Sequence, residues 1–139
     1  MSQWRIFFKE NWLTLVIVLG LAGAYILLRT PGDVFASPEA IEAQITAGQP
    51  TVIEFYSNRC SICLIAKPKV DRLEKEMQGQ ATLLRLNVKD PVGRKLAVKW
   101  GVRGVPSFFV FNGEGTLVYA SAGSPNIEEV KNAVEQAIQ

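Results

Sequence analysis

An α/β domain, with a mixed central sheet and helices on both faces, preceded by one N-terminal transmembrane helix, is the fold class this sequence predicts. Three observations predict it. An uncharged apolar run stands near the start, β-branched and aromatic segments alternate with amphipathic ones through the remainder, and a hairpin signal comes late in the chain. Alternation that closes in a hairpin implies parallel and antiparallel pairs in one sheet, with helices above and below it.

The elements follow in order. Residues 1–10 read as an N-terminal tail and 11–29 as the membrane anchor. Trp12–Leu28 is uncharged, and Thr14 is its one strongly polar side chain. At 1.5 Å per residue this run spans about 26 Å, close to the ~30 Å of bilayer hydrocarbon. Trp12 and Tyr25 lie near its ends, where interface aromatics sit. A helix apolar on all sides has nowhere to hide in so small a domain, so the lipid bilayer is its expected partner. The rival reading is a cleaved signal peptide, with Val34–Ser37 as the cleavage site. The apolar run exceeds a signal core of roughly 7–15 residues, and Arg29, Pro31 and Gly32 separate it from that site, so an uncleaved anchor is expected. Arg5, Lys9 and the α-amine precede the run, whereas Arg29 is followed by Asp33, Glu39 and Glu42. The positive-inside rule then places the N-terminus in the cytoplasm and the bulk of the chain outside it.

Residues 30–36 read as a linker and 37–139 as one folded domain. Ser37-Pro38-Glu39 is a helix start, with a cap residue, a proline at the first helical position and an acid in the first turn. Ile41 and Ile45 share its face, and Gly48 closes it. Thr51–Ser57 is apolar on both faces apart from Glu54, as a central strand is. The next helix runs from near Cys60 to about Met77, with Ile62, Ile65, Ala66, Val70, Leu73 and Met77 as its apolar stripe. Thr82–Val88 is a strand, and Asp90-Pro91 opens a helix to about Trp100. The segments SFFVFN and TLVYAS flank NGEG at Asn112–Gly115, a hairpin signal. Ser124-Pro125-Asn126 starts a last helix with Ile127, Val130, Val134 and Ile138 inward.

Composition excludes several function classes. The chain has 139 residues and a formal charge of +2. It holds no basic run or aromatic–basic stripe, so no nucleic-acid partner is expected. It has no histidine, which removes Cys–His and Ser–His nucleophile pairs and the imidazole metal ligands. Both cysteines, Cys60 and Cys63, fall where the first strand passes into its helix. At i, i+3 they are close enough for a disulfide. A thiolate at Cys60 is stabilised by the positive end of the helix dipole and by free backbone N–H groups, with Arg59 adding a positive charge beside it. Cys63 continues into the buried stripe. One exposed, activated sulfur and one shielded sulfur suit attack and resolution. Half of a metal site and two inert buried thiols are the other readings. Zinc wants about four ligands and this chain offers two thiols, so no metal is expected.

The domain resembles the thioredoxin superfamily over residues 37–139. VIEFYS leads into RCSIC, Pro68 stands five residues after Cys63, WGVRGVPSFFVF at Trp100–Phe111 resembles the family's Gly-x-x-Gly-(Ile/Val)-Pro segment, and NGEG and Gly123 match its closing hairpin and glycine. With the anchor, it is most similar to membrane-anchored thioredoxin-like proteins of bacteria, cyanobacteria and chloroplasts, which keep exported thiols reduced, often for cytochrome c maturation. The resemblance implies a thiol–disulfide oxidoreductase on the exocytoplasmic side, acting on protein disulfides, re-reduced by a membrane electron carrier and needing no dissociable cofactor. It implies Glu54 as a buried acid that takes the Cys63 proton, where the family more often has Asp. It implies Arg85 as the cation that holds Glu54 ionised, a cis Pro106, and Val105 as a backbone pairing site for an extended substrate. Arg59 stands where the family has Trp, and Ser61-Ile62 where it has Gly-Pro; both positions tune redox potential. A thiol oxidase or isomerase with the same site, or a tethered binding module without catalysis, are the alternatives.

Overall fold

The computed structural model describes residues 2–138, with side chains from residue 10 onward. The chain divides into two units, one ending at Thr30 and the other starting at Pro31. The first is a single helix, α1 (Ser2–Leu28), so the segment expected as a tail is helical from residue 2. Its stretch Glu10–Leu28 is long and apolar enough to cross a membrane.

The second unit contains α2 (Pro38–Ile45), β1 (Thr51–Tyr56), α3 (Ser61–Glu76), β2 (Thr82–Asn87), α4 (Pro91–Lys99), β3 (Ser107–Phe111), β4 (Leu117–Ala122) and α5 (Ile127–Ile138). The strand order is β2-β1-β3-β4. β1 pairs parallel with β2 and antiparallel with β3, and β3 pairs antiparallel with β4. All six residues of β1 are buried, as the apolar pattern on both its faces requires of a central strand. The β3–β4 turn is made by Asn112, whose Oδ1 accepts from the N–H groups of Glu114 and Thr116. Gly115 supplies the positive φ of 85° that the turn needs.

Alternate residues of the strands feed two cores. Val52, Leu83, Phe108 and Val110 pack with Ala66, Val70, Leu73 and Met77 of the α3 side and Val130, Ala133 and Val134 of α5. Ile53, Phe55, Leu84, Leu86 and Phe111 pack with Ile41 and Ile45 of α2 and Leu96 and Ala97 of α4. Gly93 lets α4 approach β2: a Cβ there would stand 2.2 Å from the Asn87 carbonyl oxygen.

Three local expectations are corrected. Ile62 and Ile65 are exposed rather than part of the α3 stripe. At 3.6 residues per turn the buried stripe of Cys63, Ala66, Val70, Leu73 and Met77 is centred about 60° from Ile62 and about 120° from Ile65. Ser37 takes the N-cap position of α2 in extended conformation, but its side chain makes no capping bond. The 30–36 segment is not a free linker. Asp33 N–H donates to the Arg85 carbonyl at 3.1 Å, and Arg85 N–H donates to Asp33 Oδ2 at 2.7 Å. Phe35 packs against the α2/α4 core. The reason is the edge position of β2, whose outward N–H and C=O groups need partners.

Candidate active site

β1 delivers the chain to a tight turn. Cys60 N–H donates to the Ser57 carbonyl at 3.1 Å, and Arg59 N–H to Ser57 Oγ at 3.2 Å. Ser57 is buried, so the turn hangs from the end of the central strand. Cys60 is the N-cap of α3, and its Sγ accepts from the Cys63 N–H at 3.3 Å. A sulfur that carries negative charge at that place keeps this donor and the field of the helix N-terminus.

Both cysteines are free thiols, Cys60 half-buried and Cys63 only 4% exposed. Burial, then the Cys60 thiol beside it, push the Cys63 thiol up to about 12. The charge of Glu54 acts in the same direction. The asymmetry expected from the sequence is present: one accessible sulfur and one shielded sulfur.

The loop before β3 closes on this pair from the other side. The Val105–Pro106 peptide is cis. Ser107 Oγ donates to the Gly104 carbonyl at 2.7 Å. The Cys60 thiol donates to the Val105 carbonyl at 3.4 Å. That carbonyl, expected to be open for an extended substrate, is therefore occupied by the thiol in the reduced protein. Ser61 and Ile62 are exposed, and so is Arg59, whose contact with the turn is through its backbone.

Glu54 is 3% exposed in the middle of β1, level with Arg85 on β2 and Phe108 on β3. Burial raises it to about 7, against the opposing pull of Arg85. Arg85, the cation expected to hold Glu54 ionised, favours the charged form, and burial outweighs it. Its Nε stands 3.6 Å from Glu54 Oε2, and neither atom has a hydrogen-bond partner. Its terminal nitrogens go instead to α3: Nη1 to Asp71 at 2.7 Å and Nη2 to Glu74 at 3.0 Å. Burial works against the Asp71 charge, but hydrogen bonds from Lys67 and Arg85 outweigh it and hold that carboxyl below its usual range. The residues expected at the site thus fall in two groups: half-buried Cys60 with buried Cys63 and the Val105 loop, and the buried pair Glu54 and Arg85 on neighbouring strands. Asp71, Glu74 and Lys67 were not expected. Among the described residues no group of three or more Cys, Asp or Glu side chains is arranged to hold a metal.

A four-stranded mixed sheet, a Cys-x-x-Cys pair capping the helix after the central strand and a cis-proline loop facing it define a thioredoxin-fold redox domain. The thioredoxin family model matches residues 34–136, and the chain belongs to that family. It is 31% identical over 83 residues to the thioredoxin-like protein HCF164 of Arabidopsis thaliana chloroplasts, covering 60% of this chain and 32% of that protein. It is 30% identical over 91 residues to a thiol:disulfide interchange protein TxlA homolog of Synechocystis sp., covering 66% and 48%. The match thus spans less than half of each of those relatives. Among solved structures it is similar in fold to mitochondrial thioredoxin 3 of Saccharomyces cerevisiae, with a TM-score of 0.63, 18% identity and coverage of 73% and 92%. It is also similar to Fasciola hepatica thioredoxin, with a TM-score of 0.60, 22% identity and coverage of 71% and 89%.

Proposed function

We propose that this chain is a membrane-anchored thiol–disulfide oxidoreductase that reduces disulfides of exported proteins through Cys60 and Cys63. The observation that carries the reading is the Cys60 sulfur, half-exposed at the α3 N-terminus on the Cys63 N–H, with the second thiol shielded behind it. The Cys60 thiolate attacks one sulfur of a substrate disulfide. A mixed S–S bond forms, the substrate bond breaks, and the departing thiolate takes a proton. Cys63 gives its proton to Glu54, attacks Cys60 Sγ and displaces the second substrate sulfur. Two electrons have then passed to substrate, and the protein holds a Cys60–Cys63 disulfide. Glu54 suits the proton step because a buried carboxyl titrating near 7 exchanges protons at neutral pH. Val105 and Pro106 form the wall against which the substrate chain lies, and Arg59, Ser61 and Ile62 tune the potential.

The apolar helix and the charges that flank it support a domain on the exocytoplasmic side. Re-reduction there needs a membrane electron carrier. Proteins of cytochrome c maturation belong to the proposed substrate class, a reading supported by the resemblance to membrane-anchored thioredoxin-like proteins. Insulin reduction by the full chain, driven by dithiothreitol, tests the chemistry: turnover is expected, and none would leave a tethered binding module instead. A reporter fused after Gln139 is expected to register outside the cytoplasm, and a cytoplasmic signal overturns the orientation.

A further inference from the structure

Arg85 is the hub of a charged cluster that the exchange steps do not use directly. Its side chain is 6% exposed, and a buried guanidinium needs partners for its N–H groups. The nearest acid in the sheet is Glu54, level with it in register. Yet the two terminal nitrogens bond Asp71 and Glu74, whose side chains are 37% and 48% exposed, and Nε faces Glu54 without a hydrogen bond. The two acids stand three residues apart on one face of α3, the spacing that lets both reach a single planar fork. Lys67 braces Asp71 at 2.7 Å.

We propose that Asp71 and Glu74 are positioning residues for the thiol chemistry: they claim both terminal nitrogens of Arg85, hold its guanidinium off the Glu54 carboxylate, and so leave Glu54 free to take and release a proton at the Cys63 side of the sheet. The groups acting on Glu54 are Arg85 from β2 and Lys67, Asp71 and Glu74 from α3. Cys63 also feels its charge, and β3 sets the neutral Phe108 level with it. Burial is the largest influence on Glu54, and Asp71 and Glu74 act with it against the arginine. A guanidinium released from α3 would form a direct hydrogen-bonded pair with Glu54 and fix its charge, which removes it as a proton carrier near neutral pH. The inference takes its meaning from the exchange reading, but its test is read at the carboxyl itself.

The test is a carbon-13 carboxyl titration of Glu54 in the full chain in detergent micelles, with Glu54→Gln assigning the resonance. In Asp71→Asn/Glu74→Gln the Glu54 midpoint is expected to fall by about one unit or more. Loss of two negative charges lowers it directly as well, so the same pair is also made with Arg85→Met. There the fall is expected to shrink to about half or less, because the effect runs through the arginine. An unchanged midpoint, or an equal fall with and without Arg85, overturns the proposal. Should Arg85→Met fail to fold, the Arg85 Nε–H resonance of the Asp71→Asn/Glu74→Gln protein decides. A new coupling to the Glu54 carboxylate supports the proposal, and an unaltered resonance overturns it. Insulin reduction by the wild type separates the two readings. Activity without the Glu54 shift refutes the positioning role alone, and the shift without activity refutes the exchange reading alone.

Discussion

The two faces of the sheet are built from alternate residues of the same strands, yet they carry different kinds of side chain. Beneath α2 and α4 the strands contribute no charged side chain to the core, which is built on Ile53, Phe55, Leu84, Leu86 and Phe111, with Phe55, Trp100 and Phe109 in edge-to-face and tilted ring contact at 5.6–5.8 Å. Beneath α3 and α5 the same strands bury Glu54 and Arg85 among Val52, Leu83 and Phe108. Apolar burial stabilises in proportion to area, whereas a buried carboxyl and guanidinium cost desolvation that imperfect pairing does not return. Both faces carry an apolar core, but only the α3/α5 face also buries a carboxyl, which burial raises to about 7.

The largest effect that sharpens this contrast is on the apolar face. Leu96, fully buried, should cost about 2–5 kcal/mol as Leu96→Ala, read by urea unfolding of the full chain in detergent. The exchange rate of the folded fraction should change by no more than about twofold. A large rate loss with intact folding would break the division of labour between the faces.

The next effect, on the α3 face, depends on pH. Burial raises the folded-state proton affinity of Glu54 from 4.5 to about 7. Between those values the folded form binds more protons than the unfolded chain, so stability is fullest below 4.5 and falls as pH rises through 7. The loss is on the order of 3 kcal/mol. Glu54→Gln should abolish it, so the stability difference between variant and wild type should grow across that window. Parallel curves from pH 4.5 to 8 would show that Glu54 is not desolvated as described.

This face also shows where the sequence is readable and where it is not. The β1–α3 junction was legible, because a β-branched run, two cysteines at i, i+3 and Pro68 stand in one continuous stretch. The buried hub was only half legible. A lone arginine in the middle of TLLRLN must find partners, and Glu54 was the visible one. Asp71 and Glu74 read as solvated helix residues until α3 lies on the sheet. The Asp33–Arg85 pairing joins residues 52 apart in the chain, and no local pattern marks it. Ile62 and Ile65 were misplaced because apolar spacing near a helix start does not say which turn lies over the sheet.

The smallest effect lies at the rim. Arg59 is exposed, and its charge is screened. A cation at the rim favours the reduced state, which alone can carry a negative sulfur, so Arg59→Trp should make the couple more reducing by about 30 mV or less. Equilibration with glutathione measures it. A shift well beyond that would mean that the rim, not the buried face, dominates the poise.

The central claim is that Cys60 attacks and Cys63 resolves, and trapping tests it most directly. Full-length Cys63→Ser and Cys60→Ser proteins are each incubated with a disulfide-bonded protein substrate, quenched in acid and weighed by mass spectrometry. Cys63→Ser should carry one substrate chain linked through Cys60, and Cys60→Ser should carry none. An adduct on Cys63 in the Cys60→Ser protein, or normal turnover by Cys63→Ser, would contradict the assignment.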